Sequence, residues 1–151
     1  MTENDLSKLI VDKCYQIHVD LGPGLFESVY EEILAFELIK EGLYVSRQQA
    51  IPVIWNEIKM EIGFRADLII ENKVLIEIKS VESIAPVHQK QVLTYLKLTE
   101  IKLGLLIYKK LRVLCAFARN IIRLTLKFIS LNLSRLYERK DKQHFKRILG
   151  L

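Results

Sequence analysis

The sequence has few of the residues that staple, break or anchor unusual chains. Among 151 residues there are two cysteines, three prolines and six glycines. Cys14 and Cys115 stand far apart, and His18, one helical turn after Cys14, reads as a packed or half-exposed residue rather than a ligand. A disulfide framework and a zinc site are therefore excluded, and free thiols in a reducing cytosol are expected. So little Gly and Pro rules out collagen-like and low-complexity chains. Long uninterrupted apolar runs are missing as well. The longest apolar stretch, Leu111 to Tyr137, is broken by Arg112, Arg119, Arg123, Lys127 and Arg135. A charge at the bilayer centre costs ~2.5–3.5 kcal/mol, which argues against a transmembrane span. The N-terminus has no basic segment followed by an apolar core, so no secretory signal is read. A soluble, cytoplasmic protein is expected. A phosphate-binding Gly-rich loop, a nucleophile elbow and His-Glu-x-x-His are also missing, which counts against P-loop hydrolysis, esterase chemistry and zinc proteolysis.

What is present is half hydrophobic and 27% charged, enough for one domain with its own core. The net charge of +5 is unevenly spread. Residues 1–108 carry 11 Lys/Arg against 16 Asp/Glu, and residues 109–151 carry 12 against 2. The whole basic excess lies in the tail.

Leu6, Leu9, Ile10, Cys14, Ile17 and Leu21 recur at helical spacing, with Asn4 or Asp5 as the cap and Gly22-Pro23-Gly24 as the stop. Phe26, Val29, Tyr30, Ile33, Leu34, Phe36 and Leu38 predict a second helix with a broad apolar face, ending near Gly42. The period then changes. Residues 43–54, 59–70 and 74–79 read as strands joined by turns at Asn56-Glu57 and Glu71-Asn72-Lys73, an antiparallel meander with Pro52 at an edge or bulge. Pro86 opens a helix stepping through Val87, Gln91, Leu93/Thr94 and Leu98, and residues 102–108 form a buried strand. The order ααβββαβ predicts an α/β (α+β) domain over 1–108, a mixed sheet flanked by helices. Residues 109–151 read as a basic extension of the same domain. Leu124, Leu126 and Phe128 alternate as in a strand, but helical spacing fits equally, so this segment is left open.

Residues two apart on a strand share a face. Val74, Ile76 and Ile78 thus form an apolar face, and Glu77 and Lys79 stand opposite with Leu75. On the preceding strand Phe64, Ala66, Leu68 and Ile70 would share one face, with Arg65, Asp67 and Ile69 on the other. A tight turn brings Asp67 near Glu77. Two carboxylates and an ammonium on one patch suit Mg²⁺, which takes one or two carboxylates plus water and phosphate oxygens. Such an ion acidifies water and steadies charge on a phosphodiester, and a nearby lysine can order the water. Alternating charges are also common on solvated strands, so Glu-x-Lys alone is a weak signal. Gln91 and Tyr95 project from one face of the following helix, with His88 three residues earlier. Glu27 and Tyr30 lie one turn apart at the start of the second helix.

These residues give the chain a resemblance to the family named for its GxxExxY motif, a branch of the PD-(D/E)XK nuclease superfamily. That motif matches Gly24, Glu27 and Tyr30. The superfamily's acidic position resembles Asp67, its Glu-x-Lys resembles Glu77 and Lys79, and a Gln-x-x-x-Tyr motif similar to that of RecB-like nucleases matches Gln91 and Tyr95. The resemblance spans residues 5–108. It implies a PD-(D/E)XK nuclease-like fold and a Mg²⁺-dependent (or Mn²⁺-dependent) nuclease acting on DNA. It also implies Asp67 and Glu77 as metal ligands, Lys79 as the catalytic lysine and Glu27 as a further acid and metal ligand. Gln91 then serves catalysis, while Tyr30, His88 and Tyr95 line the site. Two features depart from the family: Ala66 replaces the usual proline, and the basic segment intervenes before a displaced last strand at residues 145–149. Two other readings stand beside this one. One is an inactive nuclease-fold module binding nucleic acid or a partner; the other is membrane-surface association through the tail. An edge strand and an apolar tail could also support a homodimer.

Overall fold

The computed structural model describes residues 1–81 and 83–108, without the side chains of Glu61 and Ile62, together with the backbone of 112–117 and 127–129. Its first two elements are helices α1 (Glu3–Leu21) and α2 (Glu27–Lys40). The cap of α1 is Thr2 rather than Asn4 or Asp5. Its hydroxyl accepts the Asp5 N–H at 3.2 Å, and Asp5 Oδ2 accepts the Thr2 N–H at 2.9 Å. This reciprocal capping box satisfies two otherwise orphaned donors. Gly22, at φ +74°, closes the helix with its N–H on the His18 carbonyl.

Strands β1 (Val45–Trp55), β2 (Ile58–Ile70) and β3 (Val74–Lys79) form the expected meander. Asn56 and Glu57 both adopt positive φ, as do Glu71 and Asn72. Paired positive φ angles match the right-handed twist of hairpin strands. The register shifts between Ile51 and Val53, placing an irregularity at Pro52 on the edge strand. Helix α3 (Pro86–Thr99) then crosses to β4 (Leu103–Tyr108), which pairs parallel with β3. β5 (Arg112–Phe117) and β6 (Lys127–Ile129) extend the sheet antiparallel, completing the order β1-β2-β3-β4-β5-β6. The expected mixed sheet is therefore present. The proposed strand at 145–149 and the rest of the tail lie outside the described residues.

The sheet separates two apolar layers. Leu6, Ile10, Cys14 and Ile17 of α1, with Leu34, Ala35 and Leu38 of α2, pack on Leu68, Ile70, Val74, Ile76, Ile78, Leu103, Leu105 and Ile107. On the other side, Val92, Tyr95 and Leu96 of α3 pack on Ile51, Ala66, Ile69, Leu75 and Leu106.

Two helical faces differ from expectation. Phe26 and Phe36 are 77% and 63% exposed, and Val29 is exposed too, so α2 buries a narrow stripe. Val87 is likewise exposed, and α3 presents Val92, Tyr95 and Leu96 inward. On α2 the apolar content exceeds the surface one helix can press against a sheet; on α3 the inward face is the one whose Val92 and Leu96 meet Gly104.

Gly104 sets the approach of α3. A Cβ added there would lie 2.6 Å from Val92 Cγ1 and 3.1 Å from Leu96 Cδ1. Gly104→Val should therefore cost about 1–3 kcal/mol through overpacking. Chemical denaturation should show the loss, and an unchanged midpoint would contradict this account of the packing.

Candidate active site

Glu27 opens α2, Glu77 and Lys79 close β3, and Asp67, Gln91 and Tyr95 lie within β2 and α3. Glu77 and Lys79 leave the C-terminal end of β3, where the Ile76 and Ile78 side chains anchor the strand in the opposite layer. Ligands in α/β sheets bind characteristically beyond the carboxyl ends of parallel strands. Here a cleft opens beyond β3 and β4, lined by His18, Glu27, Tyr30, Lys79, Ser80 and Tyr108 among others.

Asp67 reaches this end where the pairing of β2 with β3 stops. The last β2–β3 pairs run from Ile70↔Val74 to Leu68↔Ile76. Beyond them the strands part, and Asp67 Oδ2 accepts the Ile78 N–H at 2.7 Å in place of a main-chain partner. The break also corrects the expected alternation. Ala66 packs in the α3 layer whereas Leu68 and Ile70 pack in the α1/α2 layer, so one face does not run from 64 to 70. Phe64 follows Ala66, with its ring centroid 5.3 Å from that of Tyr95.

Glu77 is only 2% exposed. Its Oε1 accepts from Lys79 Nζ at 2.7 Å and from Gln91 Nε2 at 2.7 Å. Gln91 Nε2 also donates to the Tyr95 hydroxyl at 2.6 Å, so α3 holds the carboxylate through a two-residue tether. Among the described residues, Oε2 of Glu77 is buried with no hydrogen-bond partner. An ionised oxygen left so is costly unless a cation or acidic proton meets it.

Electrostatics reflect this crowding. Burial pushes the Glu77 carboxyl up to about 7, opposed by the Lys79 ammonium and reinforced by Asp67. Burial also raises Asp67, while the Ile78 N–H works against it. For Lys79, burial disfavours the charge, but the Glu77 hydrogen bond and the surrounding carboxylates outweigh it, leaving its pKa raised.

A raised acid pKa in the folded state means that the native protein binds the extra proton. Folding is unpenalised by Glu77 below its ordinary value of 4.5, and the penalty grows until pH passes about 7. In metal-free protein, Glu77→Gln should flatten the fall in stability across that window. His18, whose pKa burial lowers, pulls the opposite way, so the comparison is parent against variant. Melting temperatures at stepped pH provide the measurement; parallel curves would refute the assignment.

The remaining candidates are more structural. Glu27 Oε1 accepts the Ser80 N–H at 2.5 Å, and Ser80 Oγ donates to the Leu25 carbonyl at 2.8 Å. These bonds pin the segment after β3 to the start of α2. Tyr30 donates its hydroxyl to the Cys14 carbonyl at 3.3 Å while lining the cleft. His88 Nδ1 accepts the Ala85 N–H at 3.2 Å, so this imidazole caps α3.

Sequence spacing overlooked Glu31, Arg47, Gln48 and Ser80. Glu31 is buried on α2 and bound by Arg47 Nε at 3.0 Å. It follows Glu27 by four residues, and that helical spacing was the available signal. Nothing in the sequence marks Gln48 or Ser80.

Comparison with known proteins supplies the relationship. A sequence model described as the PD-(D/E)XK nuclease superfamily matches residues 4–114. The chain belongs to the PD-(D/E)XK nuclease superfamily. No curated protein and no solved structure matches it. Nucleases of this superfamily typically use divalent metal ions, so the fit of such an ion can be judged here. No set of three His, Cys, Asp or Glu side chains among the described residues is arranged to hold a metal. Two hard carboxylates, one with a buried unpartnered oxygen, nevertheless suit an ion that keeps several waters. Among the described residues, no helix is long and apolar enough to cross a membrane.

Proposed function

We propose that this superfamily member, of the GxxExxY branch, is a Mg²⁺-dependent nuclease that hydrolyses DNA phosphodiester bonds, with Mn²⁺ able to substitute. The observation that carries the reading is the buried, unpartnered Oε2 of Glu77 beside Asp67 and Lys79.

Asp67 and Glu77 would hold the ion, with Glu27 as a further acid nearby. A bound divalent ion acidifies water and withdraws charge from a phosphodiester. The chain's own groups do the rest. Among the described residues Lys79 spends one N–H on Glu77, and its other two can orient the attacking water and meet charge growing on a phosphate oxygen. Gln91 holds Glu77 from the α3 side, and Tyr95 fixes Gln91. Tyr30 and His88 support these elements at the cleft and at the start of α3.

The test is cleavage of labelled single- and double-stranded DNA, and of RNA, with Mg²⁺, Mn²⁺ or EDTA. DNA cleavage that needs the ion and stops with EDTA is expected; EDTA-resistant cleavage would overturn the reading. Metal binding without cleavage would favour the non-catalytic binding module. The engagement of Glu27 by Ser80 is the observation on that side.

A further inference from the structure

The irregularity in β2 at Asp67 has a counterpart directly across the ladder. Arg47 pairs with Leu68 and Gln49 with Ala66, so Gln48 stands opposite Asp67. Gln48 adopts φ +47° in the middle of a strand. A residue other than glycine seldom takes this conformation, which is costly and persists where surrounding contacts impose it. Here they are specific. Gln48 Nε2 donates to Glu31 Oε2 at 2.5 Å and to Asp67 Oδ1 at 3.3 Å. Both neighbours are carboxylates, so only the NH₂ end of the amide can face them, and both its hydrogens are spent.

Glu31 is itself held. Arg47 binds it through Nε and reaches Glu32 through a terminal nitrogen at 2.6 Å. The chain of contacts therefore runs from α2 through the Gln48 amide to Asp67. Asp67 is fixed at both oxygens, Oδ2 by the Ile78 N–H and Oδ1 by Gln48. With Gln48 removed, Oδ1 would lose the side-chain donor it has among the described residues, and the carboxylate could rotate. Without the amide, moreover, the Asp67 and Glu31 carboxylates would lose the donor they share.

We infer that Gln48 is a positioning residue: it ties Asp67 to the buried Glu31 of α2 and orients the Asp67 carboxylate toward a divalent ion. This rests on the reading of Asp67 as a metal ligand. Partners that orient metal-binding carboxylates typically contribute about 10–100-fold in metal affinity.

The experiment measures Mn²⁺ binding by calorimetry, with the melting temperature of metal-free protein alongside. Gln48→Gly keeps the left-handed backbone accessible and deletes the side chain, amide included. It should melt near the parent yet bind Mn²⁺ about 10-fold more weakly. Gln48→Asn tolerates the same backbone and retains an NH₂ group, so it should recover part of the loss; it also serves if the glycine variant folds poorly. Asp67→Asn is the reference for the site. Gln48→Gly binding within about twofold of the parent, while Asp67→Asn binds far more weakly, would overturn the role of Gln48 alone. Asp67→Asn binding like the parent would remove the metal assignment itself, and the role of Gln48 with it.

Discussion

Lys79→Ala is expected to lower the rate of DNA cleavage by about 10²–10⁴-fold. Two effects combine. The ammonium that would orient water and meet the phosphate is gone. Glu77 also loses the cation 2.7 Å from its Oε1, while staying 2% exposed. Its carboxyl, already lifted to about 7 by burial, would rise further and hold its proton at neutral pH. A protonated Glu77 is a poor metal ligand, so the variant should need more Mg²⁺, and the need should ease as pH increases. Lys79→Arg keeps a cation without the compact ammonium, and should restore metal demand more than rate. Initial rates across Mg²⁺ concentrations and pH separate the two effects. The fold should survive, because Lys79 sits at the end of β3 rather than in either apolar layer. Cleavage within threefold of the parent would remove Lys79 from the mechanism, an effect far short of the usual contribution of such a group (about 10²-fold or more).

Ile76→Ala should destabilise the protein by about 2–5 kcal/mol. Ile76 is fully buried and lies in register between Leu68 of β2 and Leu105 of β4, two residues that are buried as completely. Few neighbours can collapse into the space, because strands fix them on both sides and α1 and α2 cover the row. The same position precedes Glu77, so a loosened β3 would also spread the carboxylate site. Urea denaturation measures the loss directly. Phe36→Ala is the contrast, an aromatic 63% exposed, where a change within about 0.5 kcal/mol is expected. Equal losses at the two positions would invalidate the assignment of the α1/α2 layer.

Most of the element order was legible because each element carries its own period and punctuation. Alternation in Val74–Lys79 put Glu77 and Lys79 on one face, and that placement follows from strand geometry alone. Asn56-Glu57 and Asn72 marked their turns because asparagine tolerates positive φ. Gln91 and Tyr95 fell on one face of α3 because four residues make about one turn. Legibility failed where a choice depended on a neighbour. The apolar residues of α2 outnumber the places open against the sheet, so Leu34 and Leu38 went inward while Phe26 and Phe36 stayed outside. The phase of α3 was settled by the groove that Gly104 leaves for Val92 and Leu96.

By itself, then, the sequence determined the ααβββαβ order and the residue types available for chemistry. Local periodicity and side-chain inventory are properties of short segments. Only the tertiary structure decided that the β2–β3 pairing stops before Asp67, that Asp67 accepts the Ile78 N–H, and that Glu31 reaches it through Gln48. Those contacts join residues 11 to 19 positions apart across strands and a helix, where no periodicity links them. They arise because a part-buried carboxylate excluded from regular pairing must find donors, and Gln48, on the exposed edge strand, supplies one.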